Sequence, residues 1–149
     1  MSETTNTKVK NIEESFTEKR EYYNSQVKKL NDMLKTVGDV NDLLGLIYSE
    51  RQELVENYYQ LVPYLNKLNM LYRQKYAEKY KEYSNVHQKM YPESEKKNLI
   101  YGDLTEILYK RDLIDTQIKY FLETLKTIDS IIFGIKSKLD VEAYIRGIK

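Results

Sequence analysis

The chain contains no cysteine and no tryptophan, one histidine, two prolines and only five glycines in 149 residues. Each scarcity removes a class of explanation. Without cysteine there is no disulfide framework and no thiolate for catalysis or metal ligation, which suits a reducing cytoplasm. His87 stands alone, whereas a transition-metal site needs three or four convergent ligands. Glycine and proline this sparse argue against a loop-rich or all-β fold. Long hydrophobic runs are missing too. No segment approaches the ~20 apolar residues of a membrane-spanning helix, and MSETTNTKVK has no apolar stretch of the kind a signal peptide carries. The expectation is a soluble, cytoplasmic, helical protein.

Chemical motifs are equally absent. No G-x-x-x-x-G-K-[ST], H-E-x-x-H or G-x-S-x-G occurs. Carboxylate neighbours such as Asp112 with Asp115, or Glu93 with Glu95, have the look of a solvated helix face. No side chain is nominated for catalysis, no cofactor is called for, and the chain is not expected to be an enzyme.

Helical periodicity, by contrast, is abundant. Ile12, Phe16, Tyr23, Val27, Leu30, Leu34 and Val37 share one face, until VGDVND interrupts at 37–42, where Gly38 can close a helix and Asp39 or Asp42 can cap the next. A second pattern runs from about Leu43 to Met90, with Pro63 expected to kink or divide it. Pro92 ends it, Ser94 can cap the helix after it, and Asp103 offers an alternative cap after Gly102. Ile118, Phe121, Leu125, Ile128, Ile132, Ile135 and Leu139 then repeat at spacings of 3, 4, 3, 4, 3 and 4, which is a heptad seam. Near Asp140 the register breaks, and VEAYIRGIK reads as a short terminal helix. The predicted fold is all-α: residues 1–10 a disordered N-terminus, and 11–149 one helical domain of three to four long helices with coiled-coil-like packing. Within it, 103–149 carries the seam and the terminal helix. Helices this long cannot all bury their stripes in one slim chain, so the seam predicts a homo-oligomer.

Charge is nearly balanced overall, at +1, but it is segregated. Residues 67–91 hold six basic and two acidic groups, within which YRQKYAEKYKEYSN interleaves tyrosines with cations. At about 100° per residue, Tyr72, Tyr76, Tyr80 and Tyr83 lie on one arc, with Arg73 on one side and Lys75 and Lys79 on the other. Glu78 and Glu82 fall behind it, and Lys81 lies outside the arrangement. Two readings stay open. Such a stripe can be a core or interface face flanked by snorkelling lysines. It can also be a single-stranded nucleic-acid surface, on which bases stack against aromatic rings and cations follow phosphates. Both can hold at once, with rings packed and polar tips at the rim.

The segment LKTIDSIIFGIKSKLDVEAYIRG, 125–147, resembles the C-terminal part of the phage UvsY recombination-mediator family. The likeness lies in Leu125, Phe133, Ile135, Lys136, Tyr144 and Gly147. DTQIKYF, 115–121, is similar to that family's Asp-Thr followed by an aromatic pair. YAEKYKEYSN stands where the family carries a basic stretch ending in Tyr-Tyr-x-Gly, with Glu82-Tyr83-Ser84-Asn85 in its place. The resemblance spans roughly half the chain. It implies a single-stranded DNA-binding protein that forms ring-like oligomers and helps a RecA-type recombinase displace single-strand-binding protein, in the host cytoplasm, without consuming nucleotide. Carried onto this chain, it implies DNA contacts at Lys75, Lys79 and Tyr83, to which the helical wheel adds Arg73, Tyr76 and Tyr80. Assembly would fall to the Ile118–Leu139 seam and the terminal helix. The alternative is a non-catalytic coiled-coil structural or assembly protein of a phage that does not bind DNA.

Overall fold

The computed structural model describes residues 2–34, 40–85 and 91–148. They form four α-helices and, among the described residues, no strand: α1 (Ser2–Leu34), α2 (Val40–Ser84), α3 (Glu93–Asp103) and α4 (Thr105–Ile148). The all-α expectation is met. Residues 2–10, expected to be disordered, are the first turns of α1. His87, Gly38 and Asp39 lie outside the described residues.

Three local expectations are corrected. Pro63 does not divide α2, which runs on as one helix of 45 residues. Proline removes one amide bond, to the carbonyl of Tyr59. Pro63 and Tyr59 are both exposed, so water can satisfy that carbonyl. Nor is there a separate terminal helix, because α4 continues through Asp140 to Ile148. The loss of heptad register there marks the end of burial, since residues 140–147 are all exposed. Finally, α3 begins after Pro92 without a side-chain cap, not at Ser94. Glu93 and Glu95 place negative charge in its first turn, where the helix dipole favours it.

The chain divides into two compact units: Met1–Tyr59 with Lys119–Lys149, and Gln60–Ile118. The first is a three-helix packing. Tyr23 and Leu30 of α1, Leu43, Ile47 and Leu54 of α2, and Phe121, Ile128, Ile131, Ile132 and Ile135 of α4 are buried. Polar contacts fix the directions. Lys19 Nζ donates to Asn57 Oδ1 (2.7 Å) and Tyr22 Oη to Glu50 (3.3 Å), so α1 and α2 run antiparallel. Tyr120 Oη donates to the Arg20 carbonyl (2.9 Å) and to Asn24 Oδ1 (2.7 Å). Arg51 pairs with Asp129 at 2.8 Å. Tyr23 is the hub: its ring meets Phe121 edge-on at 5.8 Å, and its hydroxyl accepts from Asn57 Nδ2 at 2.6 Å. Burial, with Glu53 nearby, pushes that phenol up to about 12, so it stays protonated.

The heptad seam is therefore used inside the chain. Ile118, Phe121, Ile128, Ile132 and Ile135 are buried without any second copy, and Leu125 and Leu139 are half-buried. The spacing identified the apolar face, but a three-helix packing within one chain wants the same face that an intermolecular coiled coil does.

The second unit packs residues 60–84 of α2 against α3 and the start of α4. Its buried residues are Ile100, Leu104, Ile114, Gln117 and Ile118. Helix α3 passes into α4 through Leu104, whose amide donates to the Ile100 carbonyl at 3.0 Å. Thr105 Oγ1 donates to the carbonyls of Tyr101 (2.9 Å) and Gly102 (3.0 Å) at the same joint.

Candidate nucleic-acid interface

The structure places all four tyrosines of the arc on the packed side of α2. Tyr72 and Tyr76 lie with ring centroids 6.0 Å apart, Tyr76 is 6.4 Å from Tyr101, and the Arg111 guanidinium stands 5.5 Å over the Tyr72 ring. Tyr83 meets Tyr91 edge-on at 5.9 Å. The hydroxyls end on carboxylates: Tyr80 Oη donates to Glu93 at 3.1 Å, and Tyr83 Oη to Asp103 at 2.6 Å. Lys96 Nζ lies 5.3 Å from the centre of the Tyr80 ring. Tyrosine suits this position because its ring packs while its hydroxyl reaches the wet margin. The ring faces that would stack on bases are turned to α3 and α4.

The cations assigned to the arc divide into two groups. Lys75 pairs with Glu78 at 3.1 Å. Lys79 pairs with Glu82 at 3.2 Å and approaches Asp103 at 3.8 Å, and the hydrogen bond to Glu82 raises its affinity for its proton. The two acids do not merely turn away; they occupy the lysines. Arg73 differs, being exposed with no ion-pair partner among the described residues. Of the six expected contact residues, Tyr76, Tyr80 and Tyr83 hold the unit together, Lys75 and Lys79 are paired, and Arg73 alone is free.

A different surface emerges around Arg73. With Tyr76 at zero on the wheel, the sector from about +60° to about 180° holds Asn66, Lys67, Met70, Arg73, Gln74, Ala77 and Lys81. All seven are exposed, and none is acidic. Lys67 and Lys81, like Arg73, have no ion-pair partner among the described residues. Lys67 Nζ sits 5.8 Å from the ring centre of Tyr64, which is 58% exposed. The three cations span about 21 Å of helix at 1.5 Å per residue, enough to track several nucleotides. The sequence carries this signal as well. A wheel centred on the aromatic side leaves Lys81 out, whereas the acid-free sector is the flank that starts at Arg73 and ends short of Glu78.

The phenol–carboxylate bonds give the unit a definite pH response. The hydrogen bond to Asp103 pushes Tyr83 up to about 12. Its stabilising contribution is complete below the ordinary phenol value of about 10 and is lost as pH rises through about 12. Glu93 is lowered by the bonds from Tyr80 and Lys96, so its contribution holds above the ordinary glutamate range and disappears as pH falls through its lowered value. In an NMR titration of ring-labelled tyrosine, the Asp103→Asn variant is expected to bring the Tyr83 midpoint back towards the ordinary phenol value. An unmoved midpoint would mean that this bond is absent in solution.

Among the described residues no group of His, Asp and Glu is placed to hold a metal, and no helix is long and apolar enough to cross a membrane. No protein-family description, curated protein or solved structure matches the chain.

Proposed function

We propose that the protein binds single-stranded DNA through the outer sector of α2, and that it acts as a non-catalytic recombination mediator. In that role it would help load a RecA-type recombinase onto DNA covered by single-strand-binding protein. The observation that carries the reading is the acid-free sector with Lys67, Arg73 and Lys81 exposed, Lys67 standing beside the exposed ring of Tyr64 at the sector's edge. Unpaired cations along one helix edge can neutralise successive phosphates, and an exposed ring offers a base one stacking surface. The recombinase and the competing binding protein come from the resemblance of residues 115–121 and 125–147 to the UvsY family. A patch this small is weak by itself, and several copies on one strand would raise its affinity through effective concentration.

The test is a fluorescence-anisotropy titration of a labelled single-stranded oligonucleotide at several salt concentrations. With three phosphate contacts per chain, log K against log[salt] is expected to fall with a slope of about −2, at roughly −0.7 per contact on a single strand. Base composition should matter little. Flat anisotropy at low salt would sink the reading. It would leave the second one, a helical structural or assembly protein, which is favoured by a tyrosine arc and a heptad seam both engaged within the chain.

A further inference from the structure

Two exposed rings of α2 belong neither to the tyrosine arc nor to a core. Tyr59 is 66% exposed and Tyr48 46%. On the same wheel, with Tyr76 at zero, Tyr59 falls near +100° and Tyr48 near +80°. Both therefore share the angular range of Arg73, Met70 and Lys81, on the first half of the same helix. The band between about +60° and about +140° can be followed from Asn41 to Ser84. Every residue in it is exposed except the half-buried Val55, and none is acidic. The nearest carboxylate on α2 is that of Glu56, near +160°, which accepts from Gln52 Nε2 at 3.4 Å. The lane lies on one helix throughout, so register alone places its members and no contact between the two units enters.

Spacing along the lane is regular. Tyr48, Tyr59, Met70 and Lys81 follow one another at intervals of eleven residues, which close three turns to within about 20° and set them about 16.5 Å apart. Read from its C-terminal end, the lane offers an ammonium, a polarisable thioether and two phenol rings. Tyr58 meets Tyr59 edge-on at 5.1 Å, which steadies that ring while most of it stays open to solvent. Single exposed tyrosines are ordinary on a protein surface. Two of them in register with a line of cations, on a side clear of carboxylates, match a ligand that carries both phosphates and unpaired bases. Tyr64, by comparison, projects outside the band, near −120°. We infer that a single strand held by Lys67, Arg73 and Lys81 continues along α2 and stacks bases on Tyr59 and Tyr48. The inference deepens the proposed single-strand binding and rests on it.

The two halves of the lane contribute different kinds of affinity. Cations release counterions and weaken with salt, whereas a stacked base adds a contact that carries no charge. From Tyr48 to Lys81 the lane measures about 50 Å, so affinity is expected to grow with strand length until the strand covers it. A duplex keeps its bases stacked on one another and offers the rings no free face, so it gains nothing from the tyrosines.

Fluorescence anisotropy of a labelled single strand of about 15 nucleotides tests this, since even at roughly 3.4 Å per nucleotide such a strand covers the lane. Tyr48→Ala combined with Tyr59→Ala is expected to weaken binding at least about tenfold, one base stack being worth about fivefold or more. The slope of log K against log[salt] should stay at about −2, because no charge is removed. Tyr59→Phe keeps the ring and should bind within about twofold of wild type. So should Leu46→Ala, which removes an exposed apolar side chain from another side of α2. The thermal midpoint is expected to hold in all of them, since the positions are exposed and alanine favours a helix. A double variant that binds as wild type does overturns the inference and leaves the cation site standing. A loss equalled by Leu46→Ala or by Tyr59→Phe, or one that comes with a shallower salt slope, overturns it as well. Flat anisotropy of the wild-type chain sinks the single-strand reading itself, and the lane with it.

Discussion

Reversing Lys67, Arg73 and Lys81 together to glutamate is expected to weaken single-stranded DNA binding on the order of 100-fold at low salt, while helicity and thermal midpoint stay near wild type. The affinity falls because three phosphate contacts become three repulsions. The fold is spared because these side chains are exposed and hold no partner whose loss would leave a charge unsatisfied. The contrast is with Lys79. Its reversal would set a carboxylate against Glu82 and Asp103, loosening the α2–α3 packing before any effect on DNA could be read. Anisotropy beside circular dichroism separates the cases. If the triple variant binds as well as wild type while Lys75→Glu, with its helicity and thermal midpoint unchanged, does not, the contact surface is the tyrosine side and the outer sector is only a solvated face.

Phe121→Ala is expected to be the most damaging single substitution in the first unit, costing about 3–5 kcal/mol as a large-to-small change at a fully buried aromatic. Phe121 has 0% exposure and receives the Tyr23 ring edge-on at 5.8 Å. Removing it leaves a void beside Tyr23 while the Tyr23–Asn57 hydrogen bond resists collapse into the space. Phe133→Ala is expected to fall within about 0.5 kcal/mol of wild type, the usual range for an exposed site. Urea unfolding followed by circular dichroism measures both. A Phe121→Ala protein of unchanged stability but reduced mass would make the heptad seam an interface between chains.

How far the sequence spoke for the fold is seen in α4. The 3-4 spacing selected the buried side correctly, at Phe121, Ile128, Ile132 and Ile135. What it could not convey was the source of the covering helices, since a neighbour along the chain and a neighbour from another copy impose the same pattern. Pro63 misled for a related reason. Its ring costs a helix one hydrogen bond, yet at an exposed position within 45 residues the remaining bonds and packing carry the helix through. The candidate site was half legible. Periodicity placed the four tyrosines on one arc, and the structure keeps them together. Whether an aromatic arc faces water or protein depends on what packs against it, and here that is α4 together with α3, whose Glu93 and Asp103 accept hydrogen bonds from the phenols. The unpaired cations were legible too, but only by asking which side of α2 lacks acids.

The inward turn of the arc also governs how binding could be watched. The protein has no indole, so its ultraviolet emission comes from fifteen phenols, and those of Tyr80 and Tyr83 are already engaged with carboxylates. A nucleobase laid on Tyr64 would dim only a small share of that light, and intrinsic quenching would look like silence. Tyr64→Trp, at an open position beside Lys67, would install a solitary lamp where the thread is expected to pass.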